Sequence, residues 1–524
     1  MLNHHKLFYP VIFTLIYLAL SFYGIVHHEI WLDEAHSYTM ARDNAAFSDL
    51  IHNTRQEGHP LLWYIVLWVL THVSHEVFMM QCVHIFISST GIFLMTRYAP
   101  FNKVKQVLFS FSYFFFYEYN IISRNYALCV LGVTVYCILI CHAHRNYLLI
   151  TFVLLLLANS HFIGLLIALP LATLNLILLS NDEREKNNFS LWAATIGLLS
   201  IGLLLGILQV LPQEDSMFSQ LARPGYFSVE RFRAFTTPFK AFYQFPDLWI
   251  EHSWNSNLFT ANKTIGTLLA LIFPLIVLKA FGYKPLSLFV VTTASLVISL
   301  FFYTELMHNY TVRHWGFIFM AFYVAVWLQD GIDQTPYEGF LKKHIPAFFT
   351  NENKWVTQGL IYSTLFVQTV SAIHAYCTDL KRNFSNAKEV ACYLQQHHFE
   401  NDFIVLSSFT SGAAVSAYLD KPLYYPEYHA YGSYGNWSIR NWQASREEIL
   451  KQLHEVHDNN CAFLIMNNDF MHPHKKVTPN EIVYHDNSLQ IRYIRCFDDG
   501  IILQEHFKLY EVTYYKQTAY NCLR

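Results

Sequence analysis

Long apolar runs separated by short polar loops fill most of the first 374 residues. They fall near 7–26, 78–97, 106–119, 126–143, 147–160, 162–180, 189–211, 263–281, 285–303, 315–330 and 355–374. The pattern predicts a mainly α, polytopic membrane unit over residues 1–374 with about 11 transmembrane helices, the shorter of which need neighbours or tilt to cross. The N-terminal run has no small-residue cleavage site behind it and reads as a retained helix. Pro60–Val73 has the length of a re-entrant or interfacial helix, not a span. From about residue 375 the pattern alternates between helix and strand. Helices are expected at Ala387–Gln396, Ser411–Leu419 and Glu447–His457, and strands at Asp402–Ser407, Pro422–Tyr425, Ala462–Met466 and Lys508–Tyr515. Residues 375–524 therefore read as a small soluble α/β domain.

Composition agrees with the pattern: 53% of residues are hydrophobic and only 14% charged, which places the chain among membrane proteins. A formal net charge of −3 gives no sign of nucleic-acid binding. Charge bias sets the orientation, because cytoplasmic loops are enriched in Lys and Arg. If Pro60–Val73 does not span, Arg97, Lys103, Lys105, Arg145, Arg184, Lys186, Lys284, Lys342, Lys343 and Lys354 all face the cytoplasm, leaving Arg124 and Arg313 in short loops outside. The N-terminus is then cytoplasmic and the C-terminal domain extracytoplasmic.

This orientation gathers four polar features on one outer face. They are the loop 27–59 with Trp31-Leu-Asp-Glu-Ala-His-Ser-Tyr38 and Gln56-Glu-Gly-His-Pro60, the turn Tyr117–Tyr126, the turn Asn159-Ser-His161, and the segment His308–His314. Charges at a membrane boundary are costly enough to mark function. The adjacent Asp33 and Glu34 suit general-base work on a hydroxyl. The bland alternatives are a solvated acidic loop, a Glu118–Arg124 ion pair, and a hydrogen-bonded turn histidine at His161. Asp33-Glu34-Ala35-His36 also spells a helicase motif, but no GxxxxGK[ST] phosphate loop accompanies it. Neither HExxH nor CxxC occurs, and His454-Glu-Val-His457 has the wrong spacing for a zincin, so no metal and no cofactor are expected. The nine cysteines give no clear disulfide framework. The aromatic stretch Tyr424–Trp437 suits either a lid or sugar platform over the membrane site, or ordinary loop packing.

In combination, WLDEAHSY, EGHPLLWY, YEYNIISRNYAL, SHF and VRHWGF resemble the bacterial branch related to protein O-mannosyltransferases. That branch belongs to the GT-C glycosyltransferases, which include the lipid A aminoarabinose transferase. The resemblance covers roughly the first 330 residues. It implies a base at Asp33 with Glu34 beside it, an HPP-type motif at His59-Pro60 with Leu61 in place of the second proline, and an acidic-then-Arg-x-Tyr pattern at Glu118, Arg124 and Tyr126. The large lumenal repeat domain of the eukaryotic relatives is missing. The expected activity is inverting transfer of a sugar from a polyprenyl-phosphate donor to a hydroxyl of a lipid, glycan or protein acceptor at the outer face of a bacterial plasma membrane. Glu34 and Glu57 are expected to orient or contact the sugar, Arg124, Arg313 and His314 to contact phosphate, and His59, Tyr126 and His161 to line the substrate site. The alternatives are a secondary transporter, although no internal repeat is present, and a lipid-linked glycan polymerase or ligase using a diphosphate donor.

Overall fold

The computed structural model describes residues 5–211, 231–250, 254–304, 311–407, 411–435, 437, 444–455, 462–467, 470 and 478–515. His308 and His457, named above, and Asn436 within the aromatic stretch lie outside the described residues. Seven described helices are long and apolar enough to cross a membrane: Leu7–His27, Val77–Tyr98, Phe162–Ser180, Phe189–Val210, Lys263–Phe281, Pro285–Tyr303 and Lys354–Asp379. Val312–Gly331 joins them when taken together with Thr335–His344, which turns away from it by 111°. Five of the described helices start from an asparagine whose side chain caps them. The side chains of Asn102, Asn146, Asn188, Asn262 and Asn353 accept from backbone N–H groups of the first turns that follow them, satisfying donors left over at a helix start.

Three expected spans are shorter than drawn. The run 106–119 is divided into a helix Lys103–Ser110 and a single π-helical turn Tyr113–Glu118, because the Ser112 hydroxyl caps a fresh start. Runs 126–143 and 147–160 fold as Tyr126–Ile140 and Tyr147–Ala158, about 22 and 18 Å long at 1.5 Å per residue. The ambiguous run folds as Leu62–Thr71, about 15 Å, half the thickness of a bilayer core. This helix packs on Leu32–Asp43.

Contacts sort the loops into two ends of the helical bundle. At one end Lys103 lies over the Tyr9 ring, Lys105 pairs with Asp330, Arg184 bonds His144, and Gln329 bonds Tyr283. At the other, Arg313 pairs with Asp33, Arg124 bonds the Asp33 carbonyl, His59 lies beside His161, and Leu61 N–H donates to Gln209.

The C-terminal domain is a seven-stranded sheet of β1 (Phe403–Ser407), β2 (Leu423–Tyr425), β3 (Ala430–Gly432), β4 (Ala462–Met466), β5 (Ile482–His485), β6 (Leu489–Phe497) and β7 (Phe507–Tyr514), in the order β3-β2-β1-β4-β7-β6-β5. β1 is parallel to β2 and β4, and the other pairs are antiparallel. Alternation along the strands builds two cores. Val405 and Leu464 face Ile449 and Leu453 of the Arg446–Glu455 helix, while Leu406 and Ile465 face the helices Ala387–Gln396 and Gly412–Leu419. That second core does not stop at the domain. It is continuous with Ile30, Ala35, Tyr38, Trp63 and Leu67, so the C-terminal α/β domain and the Leu32–Asp43 and Leu62–Thr71 helices share one buried apolar cluster. Leu67→Ala is therefore expected to cost about 2–5 kcal/mol, the range for removing a buried leucine. Thermal melts followed by tryptophan fluorescence should show one lowered transition. A separate, unshifted transition for the C-terminal domain would contradict the shared core.

Candidate active site

The site starts where the first long helix ends and the Leu32–Asp43 helix begins. Glu34 sits in the first turn of that helix and is fully buried. Its Oε2 accepts from the Trp31 N–H at 3.3 Å and from His28 Nε2 at 3.1 Å, and its Oε1 accepts from the Ser123 N–H at 2.5 Å. His28 donates through its other nitrogen to Asp379 at 2.8 Å, and Tyr117 donates to the same carboxylate oxygen at 3.1 Å. Burial alone would strip the proton from His28, but Asp379 and Glu34 outweigh it and hold the imidazole well above its ordinary range. Glu34 thus ties together the first loop, the turn at Ser123 and the end of the last long helix.

Asp33 points the other way. Its side chain keeps 23% exposure and pairs with Arg313 at 2.7 Å. Burial opposes its charge, but Arg313 and then Arg124 hold the carboxyl below the ordinary aspartate value. The Arg313 guanidinium lies 5.1 Å from the Trp31 ring and 5.9 Å from the Trp254 ring, and Trp31 and Trp254 meet edge-on at 5.1 Å. Arg124 donates to the Asp33 carbonyl and, at 3.2 Å, to Ser37 Oγ. Among the described residues, Arg313 Nη1 and Arg124 Nε are buried donors without a partner.

Behind this pair lies an aromatic and imidazole cluster. The His161 ring is 4.9 Å from His59, 5.0 Å from Tyr126, 4.8 Å from Phe317 and 6.1 Å from His314. His161 Nδ1 accepts from the Ile163 N–H at 3.0 Å, so it is the turn-capping residue of the bland reading, yet its proton must then sit on Nε2, which is buried and unpartnered. His59 Nδ1 and Tyr126 Oη likewise have no partner among the described residues. Burial, reinforced by Arg124, lowers His59 to about 3, and burial with His59 lowers His161 well below its ordinary value.

The Glu118–Arg124 ion pair of the bland reading is not formed. The π-helical turn directs Glu118 to Tyr113 and Trp254, at 2.9 and 3.3 Å, while Arg124 turns to Asp33. Glu57 is bonded to His36 Nε2 at 2.8 Å, and the His36 Nδ1 accepts from the Gly435 N–H at 3.3 Å. Tyr434 and Trp437 pack on the His36 ring at 5.9 and 5.7 Å. The aromatic stretch of the soluble domain therefore reaches the Glu57 side of the site.

Some participants were not read from the sequence. Asp379, an acid at the end of the last apolar run, carried a usable signal; Trp254 did not. Nor did Glu505, which comes from the soluble domain. Its Oε1 accepts from the Leu32 N–H at 2.5 Å, placing a carboxyl on the N-terminus of the helix that carries Asp33. Tyr418 adds a bond to the Ile30 N–H at 2.8 Å, and Glu29 accepts from Phe384 N–H at 2.9 Å. Among the described residues, no group of three or more His, Cys, Asp or Glu side chains is placed to hold a metal ion.

No protein-family model matches this chain, and no curated protein is similar to it in sequence.

Glu505 yields a pH prediction. Burial pushes its carboxyl from 4.5 up to about 8, against the lowering pull of Ser385 and the Leu32 N–H. The folded protein then holds this proton more tightly than the unfolded chain, so its contribution to stability is full below the ordinary value and declines as pH rises towards about 8. Glu505→Gln keeps an acceptor for Leu32 and removes the titration. Melting temperatures between pH 5 and 9 should fall less steeply in the variant and exceed wild type at the alkaline end; parallel curves would contradict the assignment.

Proposed function

We propose that this chain is a membrane glycosyltransferase of GT-C type that moves a sugar from a polyprenyl-phosphate donor to a hydroxyl of a lipid, glycan or protein acceptor. The observation that carries the reading is the partly open Asp33–Arg313 pair, with guanidinium donors on Arg313 and Arg124 beside it that have no partner among the described residues. Buried donors seek acceptors, and a planar guanidinium fork matches phosphate oxygens. A monophosphate leaving group needs charge stabilisation and little protonation, so one carboxylate for the acceptor suffices.

In this mechanism the donor phosphate engages Arg313 and Arg124. Drawing Arg313 from Asp33 removes the main influence that holds the carboxyl low and makes it a better base. The acceptor oxygen attacks the anomeric carbon opposite the phosphate, the acceptor proton passes to Asp33, and the carbon–oxygen bond to phosphate breaks with inversion. The arginines take up the charge on the departing polyprenyl phosphate. Glu34, with both oxygens engaged, positions Asp33. The loop separation and the short Leu62–Thr71 helix support a cytoplasmic N-terminus and an extracytoplasmic C-terminal domain at a bacterial plasma membrane.

Asp33→Asn should express normally and lose on the order of 10²-fold or more in transfer, read as release of polyprenyl phosphate, the scale of general-base catalysis; wild-type turnover would remove Asp33 from the base role. Activity should survive EDTA, and Arg313→Ala should raise the donor KM and lower kcat, with Lys restoring only part because a point charge lacks the fork. Inhibition by EDTA reversed by magnesium would contradict the arginine assignment. For orientation, single cysteines replacing the exposed Glu183 and Asp498, in a background with native cysteines removed, should be respectively shielded from and open to an impermeant thiol reagent on intact cells. The opposite pattern would reverse the topology.

A further inference from the structure

The loop that carries Trp254 has two faces, and only one of them serves the site. On the inner face the Trp254 ring lies 5.9 Å from the Arg313 guanidinium and its N–H donates to Glu118 at 3.3 Å. The next residue, Asn255, adopts a left-handed φ of 67°, a conformation in which Asn is enriched among non-glycine residues. Its Oδ1 accepts from the Val312 N–H at 3.1 Å. The loop thus holds both a ring beside Arg313 and the main chain that immediately precedes it.

The other face is apolar and exposed. Leu248, Trp249 and Ile250 are 50, 88 and 46% exposed. Hydrogen bonds build that exposure in: Asp247 N–H donates to Ser256 Oγ at 2.7 Å, Gln244 Nε2 to the Ser256 carbonyl at 3.0 Å, and Trp249 N–H to Asp247 Oδ1 at 3.1 Å. Three consecutive large apolar side chains held outward are unfavourable in water and call for an apolar partner.

The position of this tip names the partner. The 26-residue helix Lys354–Asp379 is about 39 Å long, more than the ~30 Å of a hydrocarbon core, so its last turns reach the headgroups. Gln368 of this helix donates to the Ala241 carbonyl at 2.8 Å and Ser371 to the Gln244 carbonyl at 2.5 Å. Further along, His374 and Thr378 line a shallow pocket with Pro246. The chain therefore climbs the helix towards the end that bears Asp379, and the tip follows where hydrocarbon gives way to headgroups. Leu258 N–H donates to the Phe245 carbonyl at 2.9 Å and ties the tip to the start of the Lys263–Phe281 helix, whose Ile265, Leu268 and Leu271 form an exposed apolar stripe. Tryptophan is enriched at that depth because its ring is apolar and its N–H polar.

We infer that Leu248, Trp249 and Ile250 are seated in the bilayer leaflet on the side of the site, and that this lipid contact braces the loop that positions Arg313. The inference rests on the membrane and phosphate readings above, and adds to them a lipid-contact surface and a positioning role for Trp249.

The lipid contact is tested on full-length protein with native cysteines removed, in nanodiscs of phosphatidylcholine and phosphatidylglycerol. Nitroxide labels are placed on Trp249→Cys, on Leu271→Cys in the apolar stripe, and on Ile482→Cys, an exposed position on the edge strand β5. Oxygen concentrates in lipid and a nickel chelate in water. The Trp249→Cys and Leu271→Cys labels should favour oxygen, and the Ile482→Cys label the chelate. A chelate-exposed label at Trp249→Cys with an oxygen-exposed one at Leu271→Cys overturns the inference and leaves the membrane reading intact. A Trp249→Cys label shielded from both reagents also overturns it, in favour of a second copy or another protein as occupant. Chelate exposure at both positions overturns the membrane reading of that helix and the inference together.

The bracing is read by binding of a short, water-soluble prenyl monophosphate to the native-cysteine protein in the same nanodiscs. Trp249→Glu sets a charge in the lipid and should weaken binding on the order of 10-fold, the scale of coupling through a packed network, whereas Trp249→Phe should bind as wild type. Unchanged binding in Trp249→Glu overturns the positioning role. Absence of binding to wild type overturns the phosphate reading and the positioning role with it, while the labels still decide the lipid contact.

Discussion

The site depends on the burial of Glu34. A carboxylate with no exposure persists only when its oxygens are satisfied, and here they bind His28, the Trp31 N–H and the Ser123 N–H. Through His28 the same carboxylate reaches Asp379, so the first loop, the turn before the Tyr126–Ile140 helix and the end of the last long helix are fixed to one another. Neighbouring residues on a helix point roughly 100° apart, so anchoring Glu34 inward leaves Asp33 facing the opening. The ordering of the two acids, one structural and one available, follows from that single constraint.

The C-terminal α/β domain completes the arrangement. Glu505 and Tyr418 bond main-chain amides at the entry to the Leu32–Asp43 helix, Phe384 packs on both Trp31 and Trp254, and Gly435 orients His36 toward Glu57. Arg313 sits between the two tryptophans that Phe384 supports. The position of the cation opposite Asp33 is therefore set partly by residues far along the chain. Because the apolar core is continuous from Leu67 to Leu406, the domain and the loop it covers form one packed body.

Much of this was legible in the sequence where one physical signal dominated. Long apolar runs marked the seven long helices, and the fourteen-residue run at Pro60 was too short to cross and folds as a ten-residue helix. The helix at Ala387–Gln396 and the strand at Ala462–Met466 agree to the residue. β6 alternates along Leu489–Tyr493, before the irregularity between Tyr493 and Arg495, and carried a readable signal, whereas the three-residue β3 did not. The break at Ser112 was hidden because a capping serine inside an apolar run leaves hydropathy almost unchanged. For the site, proximity in sequence left a Glu118–Arg124 ion pair open as the bland alternative, but the π-helical turn directs Glu118 to Tyr113 and Trp254 instead. The partners that come from residues 254, 379 and 505 depend on tertiary packing, which local pattern does not encode.

We propose that the guanidinium donors of Arg313 and Arg124 beside Asp33 receive a lipid phosphate. It is tested most directly by phosphorus NMR of a short-chain polyprenyl monophosphate titrated with the protein in nanodiscs. The account predicts a saturable shift of the phosphate resonance that is retained in the presence of EDTA and abolished by Arg313→Ala. A resonance that does not respond to wild-type protein, or that responds equally to Arg313→Ala, would contradict it.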